Sequence, residues 1–220
     1  MKVGGVMEIF DSTKRSLFEI LKDVHSGKIQ LPDFQRGWIW DDNRIKGILA
    51  SVAKSFPIGA VMLLETGNEN VKFKTKPVEG VKLDNEVNPD LLILDGQQRI
   101  TSLYQTIVTN EIVTTRNEKN YKIKRWYYID MVKAMDDNYD LEEAIISISE
   151  KKKITEDFGR RIVLDLSEKE LEYKNLMYPV CMIDNYSEWR REFNEYWKYD
   201  REKSIFWDDF ENTFHVDNKN

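Results

Sequence analysis

Residues 91–101 read Leu-Leu-Ile-Leu-Asp-Gly-Gln-Gln-Arg-Ile-Thr. Four consecutive apolar residues predict a buried strand, Asp95 and Gly96 a sharp turn, and Gln97 onward an amphipathic helix. A strand that turns at glycine into a helix leaves unpaired backbone N–H groups at the positive end of the helix dipole, ready for a phosphate or another anion. Arg99 can add a two-pronged contact to the same oxygens. The same residues also have a purely structural reading, in which Asp95 caps the helix, Gly96 relieves the turn and Arg99 is a surface charge. Strand-turn-helix units are common, so this stretch alone leaves both readings open.

Upstream, Leu31-Pro32-Asp33-Phe34-Gln35-Arg36-Gly37-Trp38-Ile39-Trp40 gathers Gln, Arg and three aromatics in a short segment. A helix is expected from about Asp42 to Ser55, with Ile45, Ile48, Leu49 and Val52 on one face. It should stop at Ser55-Phe56-Pro57-Ile58-Gly59, before a strand from Ala60 to Glu65. With both clusters in view, the chain resembles the N-terminal domain of GmrSD-type restriction enzymes, which act on modified DNA and are placed near the ParB and sulfiredoxin folds. The resemblance is carried by Phe34-Gln35-Arg36 with Trp40 after it, by Phe56-Pro57-Ile58-Gly59, and by Asp95-Gly96-Gln97-Gln98-Arg99 followed by Thr101-Ser102-Leu103. It is clear over roughly residues 12–110 and thins beyond.

That resemblance implies a site for a nucleoside triphosphate, whose binding and hydrolysis regulate DNA cleavage. By position, Asp95, Gln97, Gln98 and Arg99 become the candidate catalytic residues. Gln35, Arg36, Gly96, Arg99 and Thr101 become the nucleotide-binding ones, with Asp95 the candidate ligand of a magnesium ion. The chemistry allows Arg99 and the helix start to hold phosphate oxygens, Gln97 or Gln98 to orient a water or a phosphate, and Asp95 to bind magnesium or a ribose hydroxyl. No Gly-x-x-x-x-Gly-Lys-Ser/Thr loop is present, so this is no P-loop enzyme. The aromatics Phe34, Trp38 and Trp40 are expected simply to pack.

Composition bounds the remaining choices. With 220 residues, 41% hydrophobic and 12% aromatic, the chain can bury a core without staples. The single cysteine, Cys181, excludes an internal disulfide, and His25 and His215 are too few to complete a zinc site. A reducing, cytoplasmic setting follows as the default. The longest apolar run, Ile58 to Leu64, is too short to cross a bilayer, so no membrane partner is expected. A net charge of −6 argues against a general DNA coat, so any nucleic-acid contact must be local. Basic residues cluster at Lys72, Lys74 and Lys76, from Lys119 to Arg125, at Lys151 to Lys153, and at Arg160 and Arg161, each more often a solvated face than a binding patch.

Along the chain, Ser12 is read as the cap of a first helix bearing Leu17, Ile20, Leu21 and Val24, closed by Ser26-Gly27. A short strand follows near Lys28 to Leu31. The insertion up to Pro89, where Val71, Phe73 and Thr75 alternate with lysines, reads as an exposed hairpin strand on a mobile arm. A helix from Gln97 to about Thr109 completes the first unit. Later strands are expected at Trp126 to Asp130, Ala144 to Ile148 and Arg161 to Leu166, and Ser167 with Glu170 has the spacing of a capping box. Trp189, Phe193, Tyr196 and Trp197 share one helical face and are read as core. The fold class is therefore α+β: a ParB/sulfiredoxin-like domain over residues 1–115 and an α+β to helical extension over 116–220, with the chain read as ending before a further C-terminal region.

A nuclease centre cannot be assembled from local motifs, since the histidines lie far apart and Glu150-Lys151-Lys152 lacks a partner aspartate. The expected function is a nucleotide-binding, NTP-hydrolysing regulator of a modification-dependent restriction system, partnered by DNA and by a nuclease domain or subunit outside this chain. Two rivals stay open: a ParB-like nuclease acting by itself, and a module that binds DNA or an effector without turnover.

Overall fold

The computed structural model describes residues 14–67 and 73–214. The cap expected at Ser12 lies outside them. Helix α1 (Leu17–His25) begins at Ser16, whose backbone N–H donates to the Glu19 carboxylate at 3.3 Å, and it buries Leu21 and Val24. Strand β1 (Ile29–Pro32) is buried along its whole length. Its one buried amide, Gln30, donates to the carbonyls of Gly27 and Val87 at 3.0 and 2.8 Å, which offsets its desolvation.

Helix α2 (Asp42–Ala53) is capped by Asp41, which accepts from the Arg44 N–H at 3.0 Å, and it turns Ile45, Ile48 and Leu49 inward. It ends before Ser55 because that residue is left-handed, at φ 54°, and the N–H groups of Ser55 and Phe56 turn back to the carbonyls of Val52 and Ser51. Strands β2 (Met62–Glu65), β3 (Thr75–Lys76) and β4 (Leu91–Asp95) complete a sheet in the order β2-β4-β1-β3. Only the β1–β4 pair is parallel, with Ile29 opposite Leu91.

The insertion before Pro89 differs from the expected arm. Val71 lies outside the described residues, but Thr75 and Lys76 pair with β1 instead of forming a hairpin of their own, and Val78 is 1% exposed. Burying that valine and tying Glu79 to the Trp38 N–H at 2.9 Å packs this part of the insertion against the body.

Helix α3 (Gln97–Leu103) continues as a π-helical stretch over Tyr104–Val108, so the single helix expected to reach Thr109 changes its winding. The hydroxyls of Ser102, Thr106 and Thr109 each donate to the carbonyl four residues back, at 2.7 to 2.8 Å, and so compete with the backbone for those acceptors.

The second sheet centres on β6 (Lys122–Asp130), which follows β5 (Val113–Arg116). Two short helices, α4 (Met131–Ala134) and α5 (Leu141–Ala144), lead to β7 (Ile145–Ser149), which lies along residues 125–129 of β6. A separate ribbon of β8 (Lys153–Glu156) and β9 (Arg161–Asp165) comes next. Helix α6 (Lys169–Lys174) then leads to β10 (Met177–Pro179), which pairs with residues 128–130 of β6. Because β7 overlaps the registers of both β5 and β10, those two strands divide the opposite edge of β6. The capping box expected at Ser167 is not formed. Its hydroxyl donates to Asp165 at 2.6 Å, and Glu168 stands at the start of α6.

Helices α7 (Tyr186–Tyr196) and α8 (Arg201–Phe214) close the fold, and the aromatic face serves as core. Trp189, Phe193, Trp207 and Phe210 are all 0% exposed, and Tyr178 of β10 meets Trp189 edge-on at 5.0 Å. One cluster of buried residues extends from Leu21 to Phe210, and the expected division at 115–116 falls within β5. Thr115 donates to the Trp40 carbonyl at 2.7 Å, while Tyr127 and Ser147 both donate to Asp42 at 2.7 Å. These bonds fix the loop before α2 against the second sheet. The architecture is α+β. No helix among the described residues is long and apolar enough to cross a membrane.

Candidate functional site

The turn after β4 depends on Gly96, whose φ of 90° is left-handed and whose missing Cβ leaves room for Val61. It delivers Gln97, Gln98 and Arg99 in the first turn of α3 to the segment around Gln35 and Arg36. Gln97 donates to the Arg36 carbonyl at 2.7 Å. Gln98 brackets the same loop twice, accepting the Ile39 N–H at 2.8 Å and donating to the Gly37 carbonyl at 3.2 Å. Gln35 returns the contact, donating to the Leu94 carbonyl at 2.9 Å, and Lys76 holds the Gln35 carbonyl at 2.6 Å. Trp38 adds its indole N–H to the Ser102 hydroxyl at 2.9 Å. With its backbone held at so many points, the loop presents the Arg36 side chain from a fixed frame.

Those residues enclose a cavity of about 230 Å³ lined by Gln35, Arg36, Trp40, Leu94 and the run Asp95 to Arg99. Among the described residues the Arg36 guanidinium has no ion-pair or hydrogen-bond partner, and the first N–H groups of α3 have no intrahelical acceptor. A positive group and oriented backbone dipoles beside one small concavity suit an anion. Thr101, expected among the binding residues, is 0% exposed and does not line the cavity.

Arg99 is differently engaged from the free fork read in the sequence. Its two terminal nitrogens donate to the carbonyls of Ile58 and Ala60 at 2.7 and 3.0 Å, and it pairs with Asp95 at 3.2 Å. The Phe56-Pro57-Ile58-Gly59 turn is thus the backbone clamp for this arginine, a partnership between segments some forty residues apart that no local pattern announces. Gly59 lies against the guanidinium at φ 87°, and a Cβ there would collide with it. Gly59→Ala is expected to cost about 1–2 kcal/mol through the left-handed backbone, with further loss from the displaced arginine. Denaturant unfolding checks this, and an unchanged midpoint would mean that the clamp bears no load.

The aromatics divide. Trp38 and Trp40 pack against the core as expected, but Phe34 is 63% exposed and meets Phe73 edge-on at 5.4 Å, outside the core. Asp95 has a 72% exposed side chain, and no group of three or more His, Cys, Asp or Glu among the described residues could hold a metal ion.

The sequence matches the family described as GmrSD restriction endonuclease, N-terminal domain, over residues 17–216. The chain belongs to this family. The match takes in the second sheet and the aromatic helices, well beyond the stretch in which the resemblance was legible from motifs. An uncharacterized protein of Methanocaldococcus jannaschii is 29% identical over 205 residues. That alignment covers 86% of this chain and 32% of the relative, so the chain spans about a third of that protein's length.

Proposed function

We propose that this GmrSD N-terminal domain binds a nucleoside triphosphate with magnesium, hydrolyses it slowly, and regulates a modification-dependent DNA restriction system in the cytoplasm. Its nuclease would be a domain or subunit outside the chain. One observation carries the reading: the segments Gln35-Arg36 and Asp95 to Arg99 close around one cavity in which, among the described residues, Arg36 alone offers an uncommitted cation. Within this reading the first sheet, with its parallel β1–β4 pair leading into α3, would be of the ParB/sulfiredoxin-like type that the motifs suggest.

The cavity, about 230 Å³, fits a polyphosphate chain better than a whole nucleotide, so sugar and base would lie outside it. Arg36 and the first N–H groups of α3 would hold phosphate oxygens, and Arg99 would add its charge from the wall. Asp95 would ligate magnesium together with phosphate oxygens, the usual way this ion is held with few protein ligands. Bound magnesium supplies charge neutralisation, which together with positioning accounts for most of phosphoryl-transfer catalysis.

A second reading, binding without turnover, is favoured by one feature. Both glutamine amides that could orient a water are spent on the loop from Arg36 to Ile39. Incubating the purified chain with magnesium, each ribonucleoside triphosphate, and plain or modified DNA separates the readings. Magnesium-dependent phosphate release with intact DNA is the expected outcome. Binding without phosphate release would support the second reading, and DNA cleavage lost on Asp95→Ala would replace both with a self-sufficient nuclease.

A further inference from the structure

Among the described residues the β8–β9 ribbon pairs with no other strand. Its base is fixed by the Lys153–Asp165 ion pair at 2.8 Å and by the Leu166 N–H on the Lys152 carbonyl at 2.8 Å. Toward the tip, the consecutive residues Ile162 and Val163 are 53% and 49% exposed. Successive side chains point to opposite faces of a strand, so both faces of the ribbon stand clear of the body. At the tip Asp157, Phe158 and Gly159 all take left-handed backbone, and the Phe158 ring is fully exposed, at 106% of its reference area.

An apolar arm held out in water calls for a partner. Charge points to its sign. Residues 151–165 carry five Lys or Arg against three Asp or Glu, and with Lys152 paired to Glu172 and Lys153 to Asp165 the remaining basic charge is that of Lys151, Arg160 and Arg161, in a chain whose net charge is −6. Arg160 has no ion pair among the described residues, and Arg161 reaches Glu156 only at 3.7 Å while 69% exposed. A two-stranded ribbon has the width of a DNA groove, and an apolar wedge flanked by arginines is a common means of opening a base step.

We infer that the β8–β9 hairpin is a wedge for duplex DNA, with Phe158 entering at a base step and Arg160 and Arg161 on the flanking phosphates. The inference rests on the reading of this domain as part of a DNA-acting system. It adds a contact site separate from the Arg36 cavity.

The test uses a fluorescent duplex for anisotropy and a duplex containing 2-aminopurine, whose emission rises on unstacking. The chain should bind the first and brighten the second. Phe158→Ala should abolish the brightening and weaken binding about tenfold. The double variant Arg160→Ala, Arg161→Ala should lower the slope of log affinity against log salt by about two. Unfolding midpoints and triphosphate binding should be unchanged in all variants, since Phe158 is fully exposed and the Arg161–Glu156 pair at 3.7 Å is screened by solvent. If the unaltered chain binds duplex and the variants bind and unstack it equally well, the wedge is wrong while the DNA reading stands. Absence of duplex binding by the unaltered chain overturns both. A change in solution mass of Phe158→Ala by light scattering, with DNA binding intact, would make the hairpin a contact between copies and also overturn the wedge.

Discussion

Lys152→Met is expected to lower the unfolding free energy by about 3 kcal/mol at neutral pH, the lower end of what breaking a buried ion pair costs. The Lys152 ammonium lies 3.2 Å from Glu172, whose side chain is only 5% exposed, and sits over the rings of Trp126 and Tyr128. Lys152 itself is 28% exposed, which places the effect at that lower end. Methionine keeps the stem and removes the charge. Burial raises the Glu172 carboxyl above its ordinary range, while Lys152 and the Tyr128 hydroxyl pull it down. A carboxyl with a raised folded pKa binds its proton more tightly folded than unfolded, so ionising it costs stability as pH rises from its unfolded value through the folded one. Removing Lys152 takes away an opposing influence and raises that pKa further. The deficit of Lys152→Met should therefore be greatest at neutral pH and shrink toward pH 4–5. Urea unfolding across this range reads it, and a pH-independent deficit would show that Glu172 is not the group left exposed to the loss.

Arg36→Ala is expected to weaken triphosphate binding by about ten- to a hundredfold, roughly 1.5–3 kcal/mol for a charge-assisted contact. Its stability should stay within about 0.5 kcal/mol of the unaltered chain, because the guanidinium makes no hydrogen bond or ion pair among the described residues. Arg99→Ala should behave differently. It removes the donors that hold the Ile58 and Ala60 carbonyls, so binding and stability fall together. Calorimetry and unfolding on both variants separate a ligand-holding arginine from a positioning one, and equal stability losses would erase the distinction.

Local pattern explains why part of this site could be read in advance. Four apolar residues before Asp95 and Gly96 have few foldings other than a buried strand and a turn, and the aromatic spacing from Trp189 to Trp197 has few uses other than core. What escaped depended on segments distant in sequence. The amides of Gln97 and Gln98 look like catalytic groups until the loop at residues 36–39 is seen to take them, and Arg99 looks free until the Gly59 turn meets it. Of the alternation of lysines and apolar residues before Pro77, only Thr75–Lys76 forms a strand among the described residues, and the open edge of β1 decides where it pairs. Ser167 had the spacing of a cap, yet Asp165 two residues earlier offered its hydroxyl a nearer acceptor.

Isothermal titration of the purified chain with each ribonucleoside triphosphate in magnesium tests most directly whether the cavity around Arg36 is a triphosphate site. Saturable binding of at least one of them at one site per chain, weakened by Arg36→Ala in a variant that unfolds at the same midpoint, is the predicted result. No binding of any of the four by the folded chain, or binding that Arg36→Ala leaves untouched, would contradict it.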